Sequence, residues 1–307
     1  MSLLDALRGL FQPPPSPRTR LPGIRERYVQ CLGPHGLHRM AYTEWGDPAN
    51  PRVLVCVHGL TRNGRDFDFL AQAVQHDYRV VCPDVVGRGR SDWLGVKADY
   101  GFPLYVSDMI TLIARLNAQS VHWVGTSMGG LIGMMIAAMP RSPITRLVLN
   151  DVGPVVTAAS LRRIGGYVGR APKFPTMEAA EAWIREVGAP FGALSDAQWA
   201  HLTRYTVRPV EGGFAMVYDP AIGDVFRSTP LVANFELWET WTAIRCPTLA
   251  IRGAESDLLE HGTLVKMSET GPRARIAEIQ GVGHAPMLMD EDQIALVQDF
   301  LREGLET

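Results

Sequence analysis

Six compact apolar runs recur along the chain and constrain its fold more than any other feature. They are RVLVCVHG at 52–59, YRVVCPD at 78–84, VHWVG at 121–125, ITRLVLND at 144–151, CPTLAIRG at 246–253 and ARIAEIQG at 274–281. Near-continuous Val, Ile and Leu are what parallel strands need when helices cover both faces of their sheet. Helical patterns fill the spaces between the runs. In PLYVSDMITLIARLNA, Pro103 suits the first helical turn, and Tyr105, Met109, Leu112, Ile113 and Leu116 form one stripe. The stretch LIGMMIAAM from Leu131 is apolar all round, as befits a helix buried at the sheet centre. Ile294, Val297 and Leu301 mark an amphipathic helix near the C-terminus. Strands and helices that alternate in this way define an α/β fold with a mostly parallel sheet. Ahead of them, Tyr28–Leu32 and His38–Trp45 flank a Gly/Pro turn and predict an antiparallel hairpin.

The rhythm stops between 153 and 240. Met177, Ala180, Ile184 and Val187 make a helical stripe, Ser195 with Gln198 reads as a capping box, and VRPVEGGFAMVYD predicts a small hairpin about Gly212-Gly213. This segment is expected to be a mainly helical cap over the sheet edge where active-site loops gather. The core is then 28–152 and 241–307. Residues 1–27 form an N-terminal arm, with a leucine stripe (Leu3, Leu4, Leu7, Leu10) and an extended linker at Pro13–Pro17.

The chemistry centres on Gly125-Thr126-Ser127-Met128-Gly129, a G-x-S-x-G between a strand and a buried helix. In that context the motif makes a nucleophile elbow: small residues at 125 and 129 allow the sharp turn, which lifts Ser127 toward a helix N-terminus. A hydroxyl needs a base to take its proton. Of eight histidines, His284 in GVGHAP lies after the last strand and before the final helix, which fits the role. The base needs an acid. Asp257 in RGAESDLL is assigned by position, and Asp151, which ends the strand ITRLVLN, is the alternative. Backbone N–H groups of Met128 and Leu60 are expected to form the oxyanion hole, with His58 and Gly59 shaping the loop beneath. Arg62 with Asp66 reads as a structural ion pair or as lining of the pocket, and Asp84 and Arg88 as loop supports. His35, His38, His76, His201 and His261 read as surface or turn residues. Trp183, Trp199, Trp238 and Trp241 read mostly as packing.

Taken together, HGL at 58–60, PDVVGRGRSD at 83–92, GTSMGG at 125–130, SD at 256–257 and GH at 283–284 resemble the α/β-hydrolase superfamily, in order and spacing, from about residue 28 onward. The resemblance implies an eight-stranded, mostly parallel sheet flanked by helices, its second strand antiparallel, and a cap after the sixth. It also implies a Ser127–His284–Asp257 triad. Ser127 speaks against relatives that carry an aspartate at the elbow.

The function expected is a serine hydrolase, of carboxylesterase type, that cleaves small to medium esters through an acyl-enzyme on Ser127. C–C bond hydrolase, enol-lactonase and acyltransferase chemistry on the same residues are the alternatives, and a non-enzymatic ligand receptor is a further one. No cofactor or metal is expected, since Cys31, Cys56, Cys82 and Cys246 lack metal-ligand spacing and suit small buried thiols of a cytoplasmic protein. A net charge of −2 with no basic stripe excludes nucleic acid as a partner. No stretch is long and apolar enough for a membrane span. Nothing in the sequence sets an oligomeric state.

Overall fold

A computed structural model describes residues 23–228 and 232–303. The leucine stripe and the Pro13–Pro17 linker of the expected arm lie outside the described residues. The first strand already begins at Arg25, inside the arm's expected boundary.

Eight strands form the main sheet: β1 (Arg25–Gly33), β2 (Gly36–Trp45), β3 (Val53–Val57), β4 (Arg79–Pro83), β5 (Val121–Thr126), β6 (Ile144–Asn150), β7 (Thr248–Gly253) and β8 (Arg275–Ile279). Their spatial order is β1-β2-β4-β3-β5-β6-β7-β8. β2 pairs antiparallel with both β1 and β4, and every other pairing is parallel. The two-residue period of a strand explains why the run of β3 is apolar at every position. Val53, Val55 and Val57 join the core on one face, while Leu54 and Cys56 join the core on the other.

Helices α1 (Asp68–Val74), α2 (Phe102–Arg115) and α3 (Met128–Ala137) follow β3, β4 and β5 in turn. The stripe Tyr105, Met109 and Leu112 of α2 packs with Ile132 and Ile136 of α3 on one face of the sheet. Leu70 and Val74 of α1 lie in the core of the other face, with Val297 and Leu301. Nine of the ten residues of α3 are buried, which is why that helix shows no polar side.

After β6 the chain leaves the sheet until β7. This stretch holds α4 (Ala158–Tyr167), α5 (Met177–Val187), α6 (Asp196–Thr206), α7 (Asp224–Ser228) and α8 (Trp238–Ala243). The capping box at Ser195 forms in full: Ser195 Oγ accepts from the Gln198 N–H at 3.3 Å, and Gln198 Oε1 from the Ser195 N–H at 2.7 Å. The hairpin also forms, with Val207–Val210 antiparallel to Gly213–Met216. The chain then completes the fold with α9 (His261–Glu269) and α10 (Glu291–Arg302).

Parallel strands place their carboxyl ends along one edge, where ligand sites of open α/β sheets collect. Here that edge gathers the loop after β3, the turn after β5, the end of β6, and the loops after β7 and β8. Among the described residues no helix is long and apolar enough to cross a membrane.

Candidate active site

Ser127 occupies the turn between β5 and α3 with φ 52° and ψ −116°, a conformation that L-residues rarely adopt. Its neighbours leave no alternative residue choice. A Cβ on Gly125 would run into the Gly129 backbone, and one on Gly129 would collide with the Val57 carbonyl. The turn is therefore wedged against β3. Gly59 lies on the other side of the serine, where an added Cβ would sit 3.7 Å from Ser127 Cβ.

His284 Nε2 stands 3.0 Å from Ser127 Oγ, and its Nδ1 stands 2.7 Å from Asp151 Oδ2. The carboxylate accepts the Nδ1–H, which leaves Nε2 unprotonated and facing the hydroxyl. Asp151 is fully buried, and its oxygens are satisfied by further donors: the Gly253 N–H at 2.9 Å and the Ser256 hydroxyl at 2.6 Å. Buried polar oxygens require such partners.

The position assigned to Asp257 is thus corrected. The structure does not bring Asp257 to His284; its side chain is 55% exposed and forms an ion pair with Arg163 of α4. Both aspartates follow adjacent parallel strands and both fall between Ser127 and His284 in chain order, so order does not separate them. Local geometry does. Asp151 directly follows β6, and its own N–H donates to Ile251 of β7 at 2.8 Å. Its positive φ of 55°, tolerated by Asp, turns it inward. Beyond the end of β7 at Gly253, Ser256 takes the inward position and Asp257 turns out.

The loop after β3 is held by two groups. His58, fully buried, accepts the Val85 N–H at Nε2 (2.9 Å) and donates from Nδ1 to the Gly59 carbonyl (2.7 Å). Arg88, also fully buried, donates from Nε to the Leu60 carbonyl at 2.8 Å. The Leu60 peptide is thereby fixed beside Ser127. The Met128 N–H, at the first position of α3, has no carbonyl within its own helix to bond.

Burial pushes the His58 imidazole down to about 4, against small opposing effects from its bond to Gly59 and from Asp84. Burial, with Arg146 and Arg52 adding to it, pushes His122 down to about 4 as well. Both lie below the unfolded value near 6.5, so the stability they contribute is present above pH 6.5 and is lost as pH falls toward 4. For His58 alone the loss by pH 5 is about 2 kcal/mol. Urea midpoints are accordingly expected to fall between pH 7 and pH 5, and a flat profile would contradict this.

Ser127 sits at the junction of two cavities. The first, of about 450 Å³, is lined by Phe102, Tyr105, Leu131, Val156, Leu161 and Phe226 among others, and, among the described residues, by no charged side chain. The second, of about 410 Å³, includes His284, Arg62, Asp66, Arg163, Trp183 and Phe191 in its wall. Leu60, Ser127 and Ile164 border both. Arg62 and Asp66 are a bidentate pair (2.9 and 2.6 Å) and also line this cavity. Of the four tryptophans of the 153–241 stretch, Trp183 alone borders either cavity.

Arg88 is a loop support as expected, at the Leu60 carbonyl, whereas Ser256, whose hydroxyl holds Asp151, was given no role by the sequence. His38 is also not a surface residue. It is buried, and its Nε2 lies 2.8 Å from Asp108 Oδ2, with Cys31 in the same cluster. Burial and the adjacent Asp108 push the Cys31 thiol up to about 12. Cys56 and Cys82 are buried as expected, whereas Cys246 is only partly so.

The eight-stranded order, the serine at the β5–α3 turn and the histidine after β8 define an α/β hydrolase. The chain belongs to the alpha/beta hydrolase family, whose model matches residues 54–297. It is 50% identical over 281 residues to the 3-hydroxybutyrate-oligomer hydrolase of Cupriavidus necator, an alignment covering 89% of this chain and 96% of that one. It is 26% identical over 278 residues to the N-formylmaleamate deformylase of Pseudomonas putida, covering 87% and 94%. A crystal structure of an alpha/beta hydrolase from Novosphingobium aromaticivorans superposes with a TM-score of 0.81 at 33% identity, covering 92% of this chain and 99% of that one.

Proposed function

We propose that this chain is a serine esterase that hydrolyses short oligoesters of 3-hydroxy acids, with Ser127, His284 and Asp151 as its catalytic residues. The observation that carries the chemistry is the row of two hydrogen bonds, 3.0 Å from His284 to Ser127 and 2.7 Å from His284 to Asp151. The substrate class rests on the 50% identical relative.

In this reading Ser127 Oγ attacks the ester carbonyl while His284 Nε2 takes its proton. Asp151 holds the tautomer and stabilises the imidazolium. The N–H groups of Leu60 and Met128 take up the oxyanion charge. As the C–O bond breaks, His284 returns the proton to the leaving alcohol. A water then gives its proton to His284 and its oxygen to the acyl carbon, which releases the acid and restores the serine hydroxyl. Residues 153–240 act as the cap that roofs the apolar cavity.

The test is incubation with a linear 3-hydroxybutyrate trimer and with p-nitrophenyl butyrate, following acid release and product identity with and without added alcohol. Acid from both supports the reading. Turnover of the p-nitrophenyl ester alone removes the substrate class, turnover of neither removes ester hydrolysis, and acyl products that require the added alcohol favour transfer.

A further inference from the structure

Resting on the oligoester reading, we infer that Arg163 forms a carboxylate subsite that binds the free acid end of the substrate and makes the enzyme cut the last ester bond.

The two cavities assign the two halves of an ester. The proton donor must face the leaving oxygen, and His284 borders the second cavity but not the first. Met128, beside the site of the oxyanion, borders the first but not the second. The acyl part therefore extends into the uncharged first cavity and the leaving alcohol into the second. In an ester of a 3-hydroxy acid oligomer, the alcohol that departs from the last bond is itself a hydroxy acid. Its carboxylate lies only two carbons from the breaking C–O bond.

A carboxylate entering the second cavity meets two guanidinium groups. Arg62 is already matched within the wall by Asp66, and its Nη1 donates to Thr206 Oγ1 at 2.8 Å. Arg163 is different. Its counter-ion, Asp257, does not border the cavity, and the pair is open to water, with side chains 42% and 55% exposed. An exposed pair of this kind contributes little stability and exchanges readily. A substrate carboxylate can replace Asp257 and offer the same planar, two-oxygen partner to the guanidinium. Asp257 then serves as the resting counter-ion of the subsite, and the uncharged first cavity gives no comparable hold to an acid end.

The consequence is directional. The carboxyl-terminal unit leaves first as the monomer, and the remaining hydroxyl-end chain stays on Ser127 until water releases it.

The experiment compares kcat/KM for the 3-hydroxybutyrate trimer and its methyl ester in wild type, Arg163→Gln and Arg163→Lys. Wild type is expected to prefer the free acid. The acid-to-ester ratio falls roughly tenfold in Arg163→Gln and is partly kept in Arg163→Lys. A variant that merely folds poorly loses both substrates together and leaves the ratio unchanged, which counts against the subsite. With a trimer isotopically labelled in its carboxyl-terminal unit, label is expected first in the monomer, and label appearing first in the dimer overturns the inference. If wild type hydrolyses neither trimer nor methyl ester, the oligoester reading itself falls and the subsite falls with it.

Discussion

Ser127→Ala is expected to lower kcat on any ester by on the order of 10⁶-fold, while the protein stays folded. The magnitude follows from what the residue does in this account. Without Oγ there is no acyl-enzyme, and His284 and Asp151 have nothing to activate except water in the wrong place. The residual rate comes from the oxyanion donors and from binding. Folding is not at stake, because the elbow is held by the glycines at 125 and 129 against β3, and by the Ser127 N–H donating to the Asn150 carbonyl at 3.0 Å. An alanine also relaxes none of the constraint at φ 52°, so the turn keeps its shape. Ester turnover within about tenfold of wild type would remove Ser127 from the mechanism.

Asp151→Asn should cost roughly 10³- to 10⁴-fold in kcat, whereas Asp257→Asn keeps turnover of p-nitrophenyl butyrate within about threefold. An amide at 151 can present its NH₂ to His284, which forces the proton onto Nε2, where the base is needed unprotonated. The Gly253 N–H still finds an oxygen there, and the Ser256 hydroxyl, which meets the same position as His284, turns to accept from the NH₂, so the effect falls on rate more than on stability. Asp257 touches neither His284 nor Ser127; its carboxylate meets Arg163 at the surface. Steady-state rates on both variants, read beside thermal melts, decide the matter. A large loss at 257 with little at 151 reverses the assignment.

Much of the architecture was legible in residue patterns. The six runs became six parallel strands; the five inner ones are mostly buried because both faces are covered, whereas β8 lies at the sheet edge with no buried position. Ser127 and His284 were placed by their positions between elements, and the structure brings them within 3.0 Å. The acid was not resolved. Asp151 and Asp257 both follow strands, and which one faces inward depends on the turn that each strand end makes. That turn is set by contacts between β6, β7 and Ser256, residues far apart in sequence. His58 and Arg88 were legible as loop supports, but not the atoms they hold. Nothing local in PDVVGRGRSD says that a guanidinium there reaches the Leu60 carbonyl, since that bond exists only once β3 and β4 lie side by side. Arg163 carries no motif at all. Its place in the cavity wall is a product of how α4 settles over the sheet edge.

The central claim is that Ser127 is a nucleophile activated through His284. It is tested most directly by treating the protein with a fluorophosphonate and locating the adduct by peptide mass spectrometry. One adduct per chain on the peptide carrying Ser127, formed in step with loss of ester turnover, is the predicted result. Complete inactivation with the adduct on another residue, or undiminished labelling of Ser127→Ala, would contradict it.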